Sequence, residues 1–421
     1  MIRWLRLVAL VLASITGFGL LGSLAPTGHS PLFPFPVILA DLSPTIPLWG
    51  HTVRPFGSAV TRGQVGRELA RDPSQRVLVA GSERTLVFVG DVMLSRGVGS
   101  LMKSRNDWAY PFHEIKDTLR AADLAFCNLE CPVSDRGRNL HHLYSFRADP
   151  KALEGLKLAG FRVVSQANNH AYDWGQAALL DSIGRLRAAS ILTVGAGQND
   201  LEAHYPTFVN LGDARSNSGP GPGDRGALRS AMVPGLGYAE SSSIPRPQGG
   251  LKVGFLAYVN IDPKEAKAGI DRPGVAWLEP ERVLADIRFA RPLVDVLVVC
   301  PHWGVEYASR PTPEQVALAH RMIDAGADLI VGSHPHVVQP LESYRGRWIA
   351  YSLGNFVFDQ KGPATHLGLM LRVTVRDKRV AAVTPLPITI SADLQAKLAP
   401  PVWHIPPRAM PAAKAGATMA Q

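Results

Sequence analysis

The chain has 421 residues, of which 46% are hydrophobic and 19% charged, and its formal net charge at neutral pH is +9. That apolar content excludes a largely disordered chain, and the length suits one large domain or two ordinary ones. The positive charge is compatible either with a solvated basic surface or with attraction to an anionic polymer, phosphates or a membrane face. Because the sequence has no nucleic-acid-binding motif and no long run of Lys and Arg, no nucleic-acid partner is expected.

The first residues carry a membrane-targeting pattern. Arg3 and Arg6 precede about nineteen uncharged residues that end at Ala25, close to the ~20 that a membrane-spanning helix needs. A cleavable signal peptide is the alternative, but Pro26 would then follow the cut. We therefore expect residues 1–26 to be a single uncleaved anchor in the cell membrane. The positive end of an anchor stays inside, so the domain should lie outside the cytoplasm, in a periplasmic or extracellular position.

Composition divides the remainder of the chain. Residues 27–84 are rich in Pro and Gly and predict a spacer. A domain is predicted at 85–360, with a flexible surface insertion at 211–250, where Gly, Pro and Ser dominate. Two alternating segments predict a closing β-hairpin within 361–400, and the Ala- and Pro-rich residues 401–421 predict a disordered tail.

Within the domain, short apolar runs alternate with segments of helical period. The predicted strands are Leu86–Val89, Leu124–Cys127, Arg162–Ser165, Val253–Val259, Val294–Cys300, Leu329–Val331 and Trp348–Tyr351, and the hairpin strands are 367–376 and 379–390. The predicted helices are 112–122, 150–159, 175–189, 280–290 and 313–326. This alternation is typical of an α/β domain with a mainly covered sheet.

Nearly every predicted strand ends in polar residues. In an open α/β sheet the carboxyl ends of the strands border the binding crevice, so these residues should converge on one edge of the sheet. The convergent set is Asp91, Glu130, Asn169, His170, His302, His334 and His336. Carboxylates, an amide oxygen and imidazoles together suit Mn, Zn or Fe better than Ca or Mg. In the turn after the strand at 329–331, Pro335 separates two of the imidazoles and Gly332 allows close backbone approach.

Each of these residues also has a simpler interpretation. A histidine after a strand is more often a hydrogen-bonded turn residue than a ligand, and Asp91 could be a turn or cap residue. Asn168 and Asn169 could form an Asx turn. His141 and His142 lie in a polar loop and are expected to be solvated. The shared position of five separate clusters favours a binding site over five unrelated turns.

Taken in chain order, six motifs resemble a known family. They are Gly90-Asp91-Val92-Met93, Asn128-Leu129-Glu130, Asn168-Asn169-His170, His302-Trp303-Gly304-Val305-Glu306-Tyr307, His334-Pro335-His336-Val337 and Ser352-Leu353-Gly354-Asn355-Phe356-Val357-Phe358-Asp359. Over residues 85–360 they resemble the CapA, or PGA_cap, family of bacterial capsule and poly-γ-glutamate synthesis proteins. That family is similar to the calcineurin-like metallophosphoesterases, which implies a four-layer α/β/β/α sandwich of metallophosphoesterase type.

The resemblance also implies roles for individual residues. His170 would be the general acid, and the metal ligands would be Asp91, Glu130, Asn169, His302, His334 and His336. We assign substrate contacts to Asn128, Arg147, Glu306 and Asn355. Met93 stands where the superfamily has an imidazole ligand, so we expect one tight divalent cation (Mn, Zn or Fe) and a second that is weak or absent.

Two functional hypotheses follow. The first is a metal-dependent hydrolase of phosphoester or glutamyl-polymer bonds, favoured by the histidine set. The second is a non-catalytic, membrane-anchored assembly or polymer-binding subunit beside the membrane subunits of a capsule synthase, favoured by Met93 and the net charge. In both, the partners are the membrane and an anionic polymer such as poly-γ-glutamate.

Overall fold

The structure is a computed structural model that describes residues 83–212 and 250–400. Outside these ranges lie the predicted anchor at 1–26, nearly all of the predicted spacer at 27–84 and insertion at 211–250, and the predicted tail at 401–421. Within the two described ranges, no helix has both the length and the apolar character needed to cross a bilayer.

The described residues form sixteen strands. They are β1 Arg84–Val92, β2 Leu124–Leu129, β3 Phe161–Ser165, β4 Leu192–Val194, β5 Ala196–Gly197, β6 Thr207–Leu211, β7 Leu251–Val259, β8 Gly274–Val275, β9 Val296–His302, β10 Leu329–Val331, β11 Leu341–Tyr344, β12 Arg347–Ala350, β13 Asn355–Val357, β14 Leu367–Arg376, β15 Arg379–Ile390 and β16 Ala396–Leu398.

Seven α-helices and five short 3₁₀ turns occur in the same ranges. The helices are α1 Arg96–Arg105, α2 Lys116–Arg120, α3 Leu153–Ala159, α4 Gly175–Ala188, α5 Asp200–His204, α6 Pro280–Ala290 and α7 Pro313–Ala325. The 3₁₀ turns are Tyr110–Phe112, Pro150–Ala152, Lys264–Ala266, Arg291–Leu293 and Ala364–His366.

The strands form two large mixed sheets and a two-stranded sheet of β5 and β8. The first sheet has the order β16-β15-β14-β1-β2-β3-β4, with β13 also paired to β1, and β1 to β4 run parallel. The second has the order β11-β12-β10-β9-β7-β6, in which β12, β10, β9 and β7 are parallel. Parallel strands need crossover connections, which are usually helices. In each of the two sheets the helices of the described ranges pack on one face, the face turned away from the other sheet.

The two sheets pack face to face, with helices on their outer faces. Between the sheets, Phe126 of β2 stacks on Phe255 of β7 with ring centroids 5.7 Å apart. Outside the first sheet, buried residues of α1, α2 and α3 pack on β1 and β2. Outside the second sheet, α6 and α7 pack on β7, β9 and β10. The layer order is therefore helix, sheet, sheet, helix.

Local sequence explains where the helices begin and end, and α7 is the clearest case. Thr312 Oγ1 accepts a hydrogen bond from the Gln315 backbone N at 3.3 Å, and Gln315 Oε1 accepts one from the Thr312 backbone N at 2.9 Å. Pro313 occupies the first helical position, where its missing N–H costs nothing, and Gly326 follows the last residue.

The α/β class is confirmed, and so are most of the predicted elements. Helix α6 and strand β10 have the predicted bounds, and β14 and β15 form the predicted hairpin. The predicted helix at 112–122 is wrong in extent, because a 3₁₀ turn and the short α2 occupy that region. The strand predicted at Val294–Cys300 is observed as β9, from Val296 to His302. It begins later than predicted because a 3₁₀ turn occupies Arg291–Leu293.

The alternation alone predicted one covered sheet, whereas the chain forms two large sheets, in the four-layer order that the family resemblance implied. The alternation of strands and helices is the same for one doubly wound sheet as for two sheets that each carry helices on a single face. The predicted closing hairpin is formed by β14 and β15. It extends the first sheet, with β14 antiparallel to β1.

Candidate metal centre and catalytic site

The polar residues that follow the strands come together from both sheets. Asp91 and Asn128 lie in β1 and β2 of the first sheet, whereas His302 ends β9 of the second sheet. Asn169 follows β3 and its Oδ1 lies 2.8 Å from His302 Nε2. The site is therefore formed by the carboxyl ends of strands from both sheets, whereas the sequence predicted a single sheet edge.

At its centre are two fully buried carboxylates, Asp91 and Glu130. The side-chain amide of Asn128 donates to both, at 2.8 Å to Asp91 Oδ1 and at 3.1 Å to Glu130 Oε2. The other oxygen of each carboxylate, Asp91 Oδ2 and Glu130 Oε1, has no hydrogen-bond partner in the described structure. Burial, and then the charge of Asp91, raise the pKa of Glu130 well above its ordinary value.

His336 faces the unpaired carboxylate oxygens. Its Nδ1 lies 3.0 Å from Asn355 Oδ1 and 3.3 Å from Asp91 Oδ2, and its Nε2 lies 3.6 Å from Glu130 Oε1. One ligand atom from each of Asp91, Glu130 and His336 lies within 4.8 Å of the others. Asn355 fixes the ring by its Nδ1 side, which leaves Nε2 as the available ligand atom.

This donor set fits a divalent cation. Two buried carboxylate oxygens without partners are costly unless a positive charge compensates them. The third donor is a nitrogen, and a mixed oxygen and nitrogen set is one that Mn, Zn or Fe accepts. Asp91, Glu130 and His336 therefore form a candidate site for a divalent cation.

A second group of histidines adjoins the first. His302 Nδ1 lies 2.9 Å from Ser333 Oγ and 3.3 Å from Asn128 Nδ2, and its ring is 4.9 Å from that of His334. Burial lowers the pKa of His302 well below its ordinary value and that of His334 to about 3. Both rings are thus neutral at physiological pH. His334 Nδ1 is buried without a partner in the described residues, so it could serve a second, weaker cation position.

The turn that holds these histidines is conformationally strained. His334 and His336 have φ of 100° and 59°, in the left-handed region that residues other than glycine rarely adopt. Gly332 precedes them, and a Cβ there would lie 2.0 Å from the carbonyl oxygen of Tyr351. The close backbone approach expected at Gly332 is therefore observed.

His170 lies beside this centre and is held by a carboxylate that the sequence analysis missed. His170 Nδ1 is 2.8 Å from Asp173 Oδ2, and its ring stacks on Phe146 with centroids 3.9 Å apart. Asp173 also accepts from the Phe146 backbone N at 2.7 Å, and its Oδ1 lies 3.0 Å from His142 Nδ1. His142 is thus paired with a buried carboxylate, and the expectation that it is solvated is wrong. The three-residue spacing of His170 and Asp173 was the available sequence signal.

A pocket of about 220 Å³ opens beside His170 and His336. Glu306, assigned to substrate contact, lines it. Arg147, also assigned to substrate contact, directs its guanidinium elsewhere: Nη1 donates to the Arg136 carbonyl at 2.9 Å, and the group lies 3.4 Å from the Trp174 ring centroid. The other lining residues were not predicted from the sequence and are Arg96, Tyr144, Phe146, Tyr307, Asp359, Gln360 and Lys361.

Met93 contributes nothing to the donor set. Its side chain is fully buried in the core that packs against α1 to α3, and its sulfur accepts from the Ser95 backbone N at 3.1 Å. The position that the resemblance associated with an imidazole ligand is therefore part of the apolar core.

Comparison with known sequences gives consistent matches. The profile of the family described as bacterial capsule synthesis protein PGA_cap matches residues 85–217 and 237–360. The capsule biosynthesis protein CapA of Bacillus anthracis is 31% identical over 318 residues, which cover 73% of this chain and 67% of that protein. The PGA biosynthesis protein CapA of Bacillus subtilis is 30% identical over 309 residues, covering 72% and 70%.

Solved structures match more distantly. The calcineurin-like phosphoesterase YfkN of Bacillus subtilis aligns with 75% of this chain and 93% of its own, at 12% identity and a TM-score of 0.41. The sulfate thiohydrolase SoxB of Thermus thermophilus aligns with 75% of this chain and 56% of its own, at 12% identity and a TM-score of 0.39.

Proposed function

The chain belongs to the PGA_cap family of bacterial capsule synthesis proteins, and we propose that it acts in the production of an anionic capsule polymer such as poly-γ-glutamate. The names of its relatives from Bacillus anthracis and Bacillus subtilis, which refer to capsule and PGA biosynthesis, support this role. Within it, we propose that the chain is a metal-dependent hydrolase of phosphoester or glutamyl-polymer bonds.

The observation that carries the hydrolase proposal is the pair of unpaired, buried oxygens, Asp91 Oδ2 and Glu130 Oε1, opposite His336. A cation held by these residues would lower the pKa of a water and polarise the bond under attack. Asn169, His302 and His334 would hold a weaker second cation.

His170 supplies the proton chemistry in this proposal. Its Nδ1 hydrogen is donated to Asp173, so Nε2 is the ring nitrogen left to transfer a proton. A group placed in the adjoining pocket could receive that proton on its leaving oxygen or nitrogen. Asp173, fixed by the Phe146 backbone, keeps the ring in the orientation that this transfer needs.

A non-catalytic role in polymer assembly is the second candidate, and Met93 favours it. Because the Met93 side chain is buried in the apolar core, the centre lacks the imidazole ligand that the superfamily's pattern has at this position. In that case the same pocket would hold the polymer without cleaving it, beside the membrane subunits of the synthase.

Elemental analysis combined with activity separates the two candidates. Purified parent should contain about one equivalent of Mn, Zn or Fe, His336→Ala should lose most of it, and His334→Ala and His302→Ala should lower it. His170→Ala should keep the cation but hydrolyse neither a phosphoester nor a γ-glutamyl polymer. His320→Ala is the matched control, because its ring pairs with Glu342 away from the site. A cation-free parent that still supports polymer production would reject the hydrolase and leave the assembly role.

We also propose that residues 1–26 tether the chain to the membrane with the domain outside the cytoplasm. The support is the order of Arg3 and Arg6 before the uncharged run, with Pro26 after it. Protease added to intact spheroplasts should digest the domain, and a cytoplasmic marker protein should survive. A domain that survives with the marker would contradict the proposal.

A further inference from the structure

Exposed apolar side chains gather at the mouth of the pocket. Of the eight large hydrophobic residues exposed in the described structure, four lie in two loops: Leu143 and Tyr144 in one, and Val305 and Tyr307 in the other. Tyr144 and Tyr307 line the pocket together with His170 and His336. Scattered exposed apolar residues are ordinary, but a group at one opening indicates a binding surface. We call Tyr144 and Tyr307 the tyrosine rim.

The rim is attached to the candidate metal centre. Tyr307 has a φ of 61° and its backbone N donates to the carbonyl of Pro335 at 2.8 Å. Its hydroxyl accepts from Gln360 Nε2 at 3.2 Å. Tyr307 is 55% exposed despite these contacts, so the loop holds this tyrosine at the surface in a backbone conformation that is strained for a residue other than glycine.

Arg96 is fixed inside the pocket. It has a φ of 48°, and its Nε and Nη2 donate to Asp359 at 3.2 and 2.6 Å. Its guanidinium lies 5.1 Å from the Phe146 ring centroid and 5.9 Å from that of Tyr144. The third nitrogen, Nη1, has no hydrogen-bond partner among the described residues. A guanidinium held in this way loses little freedom when a carboxylate or phosphate oxygen binds it.

The size of the pocket limits what it holds. A volume of about 220 Å³ lies below the roughly 300–1,000 Å³ of sites that enclose a whole small-molecule ligand. It accommodates one unit of a polymer. The rim lies at the opening, where only a longer ligand would cover it, and tyrosine faces pack well on methylene groups and amide planes.

We propose that Arg96 binds the anionic group of one unit of an extended acidic polymer, and that Tyr144 and Tyr307 bind the units on either side of it. The site then recognises an internal segment of a chain rather than a free monomer. This inference rests on the proposed role with an anionic capsule polymer, and it holds whether the polymer is cleaved or only bound.

The test is binding as a function of chain length, using γ-linked glutamate oligomers of one, two, four and eight units with the His170→Ala protein, in which turnover is blocked. Affinity should rise with length. Tyr144→Ala and Tyr307→Ala should each weaken the octamer by about five- to tenfold and leave the monomer unchanged, whereas Arg96→Met should weaken every length. Tyr307→Phe keeps the ring and should retain the length effect. Tyr205→Ala, at an exposed tyrosine of another surface, should change nothing.

Affinity that does not depend on length, or rim variants that weaken monomer and octamer equally, would overturn the inference. Polyphosphate of equal length is the second probe, since it carries charge but no methylene groups. Its binding should respond to Arg96→Met and not to Tyr144→Ala, and equal sensitivity to both would reject the role of the rim. If the parent cleaves none of the oligomers but binding rises with length, only the hydrolase proposal fails.

Discussion

At the scale of single residues, the chemistry depends on how burial acts on groups that titrate. The same low-polarity surroundings raise the pKa of Glu130 and lower those of His302 and His334, because burial penalises the charged form of each. Burial therefore keeps both imidazoles in the neutral form, which is the form that can bind a metal ion. The effect on Glu130 favours its protonated form, so protonation of Glu130 and cation binding compete.

Replacing Glu130 tests this coupling. With its pKa raised in the folded state, Glu130 contributes stability that is present below its ordinary pKa of about 4.5 and is lost as pH rises through the folded pKa. In EDTA-treated protein, Glu130→Gln should therefore be more stable than the parent by about 1 kcal/mol or more at pH 8, with a smaller difference at pH 5. The variant should also bind little cation. Urea unfolding at both pH values measures the difference.

The exposed Glu281→Gln is the control for that experiment and should change neither stability nor cation content. In the parent, cation occupancy should fall on acidification at a pH above the ordinary range of a glutamate. A difference in stability between parent and Glu130→Gln that does not change with pH would contradict the coupling.

Asp173 gives a second prediction at this scale. Asp173→Asn should lower hydrolysis of the proposed substrates by about 10²-fold, because His170 loses the acceptor that orients it, while cation content stays the same. Unfolding free energy should fall by about 1–3 kcal/mol, since the carboxylate also accepts from the Phe146 backbone. Activity, elemental analysis and urea unfolding together measure these effects.

The chain offers a matched control in Asp286, which lies 2.8 Å from His204 Nδ1 in a buried pair outside the site. Asp286→Asn should lose a comparable amount of stability and retain its hydrolytic activity. Equal losses of activity in the two variants would show that Asp173 matters only through stability.

At the scale of elements, close backbone contacts bring the strand ends together. The segment after β10 crosses the end of β12 so tightly that Gly332 has no room for a side chain. The backbone N of Gly332 donates to the carbonyl of Ala350 at 2.7 Å, and the His334-Pro335-His336 turn begins two residues later. The position of two candidate ligands thus depends on a residue that has no side-chain chemistry.

Two glycine substitutions with opposite expected signs test this account. Gly332→Ala should destabilise the protein by about 2–3 kcal/mol and lower cation content, because its Cβ would meet the backbone carbonyl of Tyr351. Gly184→Ala, within α4 and with nothing within 4 Å of the added Cβ, should stabilise it by about 0.5–1 kcal/mol. Thermal unfolding of both variants gives the comparison. A neutral Gly332→Ala would show that the turn can shift to accommodate a methyl group.

At the scale of the whole molecule, the two sheets contribute different parts of the site. The first supplies the carboxylates and His170, whereas the second supplies His302 at the end of β9 and the two histidines that follow β10. Since the donors belong to different sheets, the face-to-face packing around Phe126 and Phe255 sets the distance between them. The insertion predicted at 211–250 joins two neighbouring strands of the second sheet and contributes none of these donors.

Removal of that insertion is the prediction at this scale. Leu211 of β6 pairs with Leu251 of β7, so the two ends of the insertion are adjacent and a tight turn can join them. Its Gly, Pro and Ser composition offers little apolar area that could be buried. A chain with a short Gly/Ser turn in place of 213–249 should therefore melt within a few degrees of the parent and keep its cation. A collapse in melting temperature would mean that the insertion packs on the domain.

Much of the fold and of the candidate site follows from local sequence. The bounds of α6, β10, β14 and β15 follow from apolar periodicity, from Pro280 at a first helical position and from short polar turns, all of which act between near neighbours. The candidate donors were also chosen from the sequence, because each follows a predicted strand and carries ligand chemistry.

Only the tertiary structure decided how these parts meet. One sheet and two sheets produce the same alternation along the chain, so the division of the donors between two sheets follows from long-range packing. The burial that shifts the pKa of Glu130, the stacking of His170 on Phe146, the turning away of Arg147 and the tyrosine rim also depend on contacts between distant segments. Periodicity encodes which face of an element is buried, whereas the partner across that face is set by the packing of the whole chain.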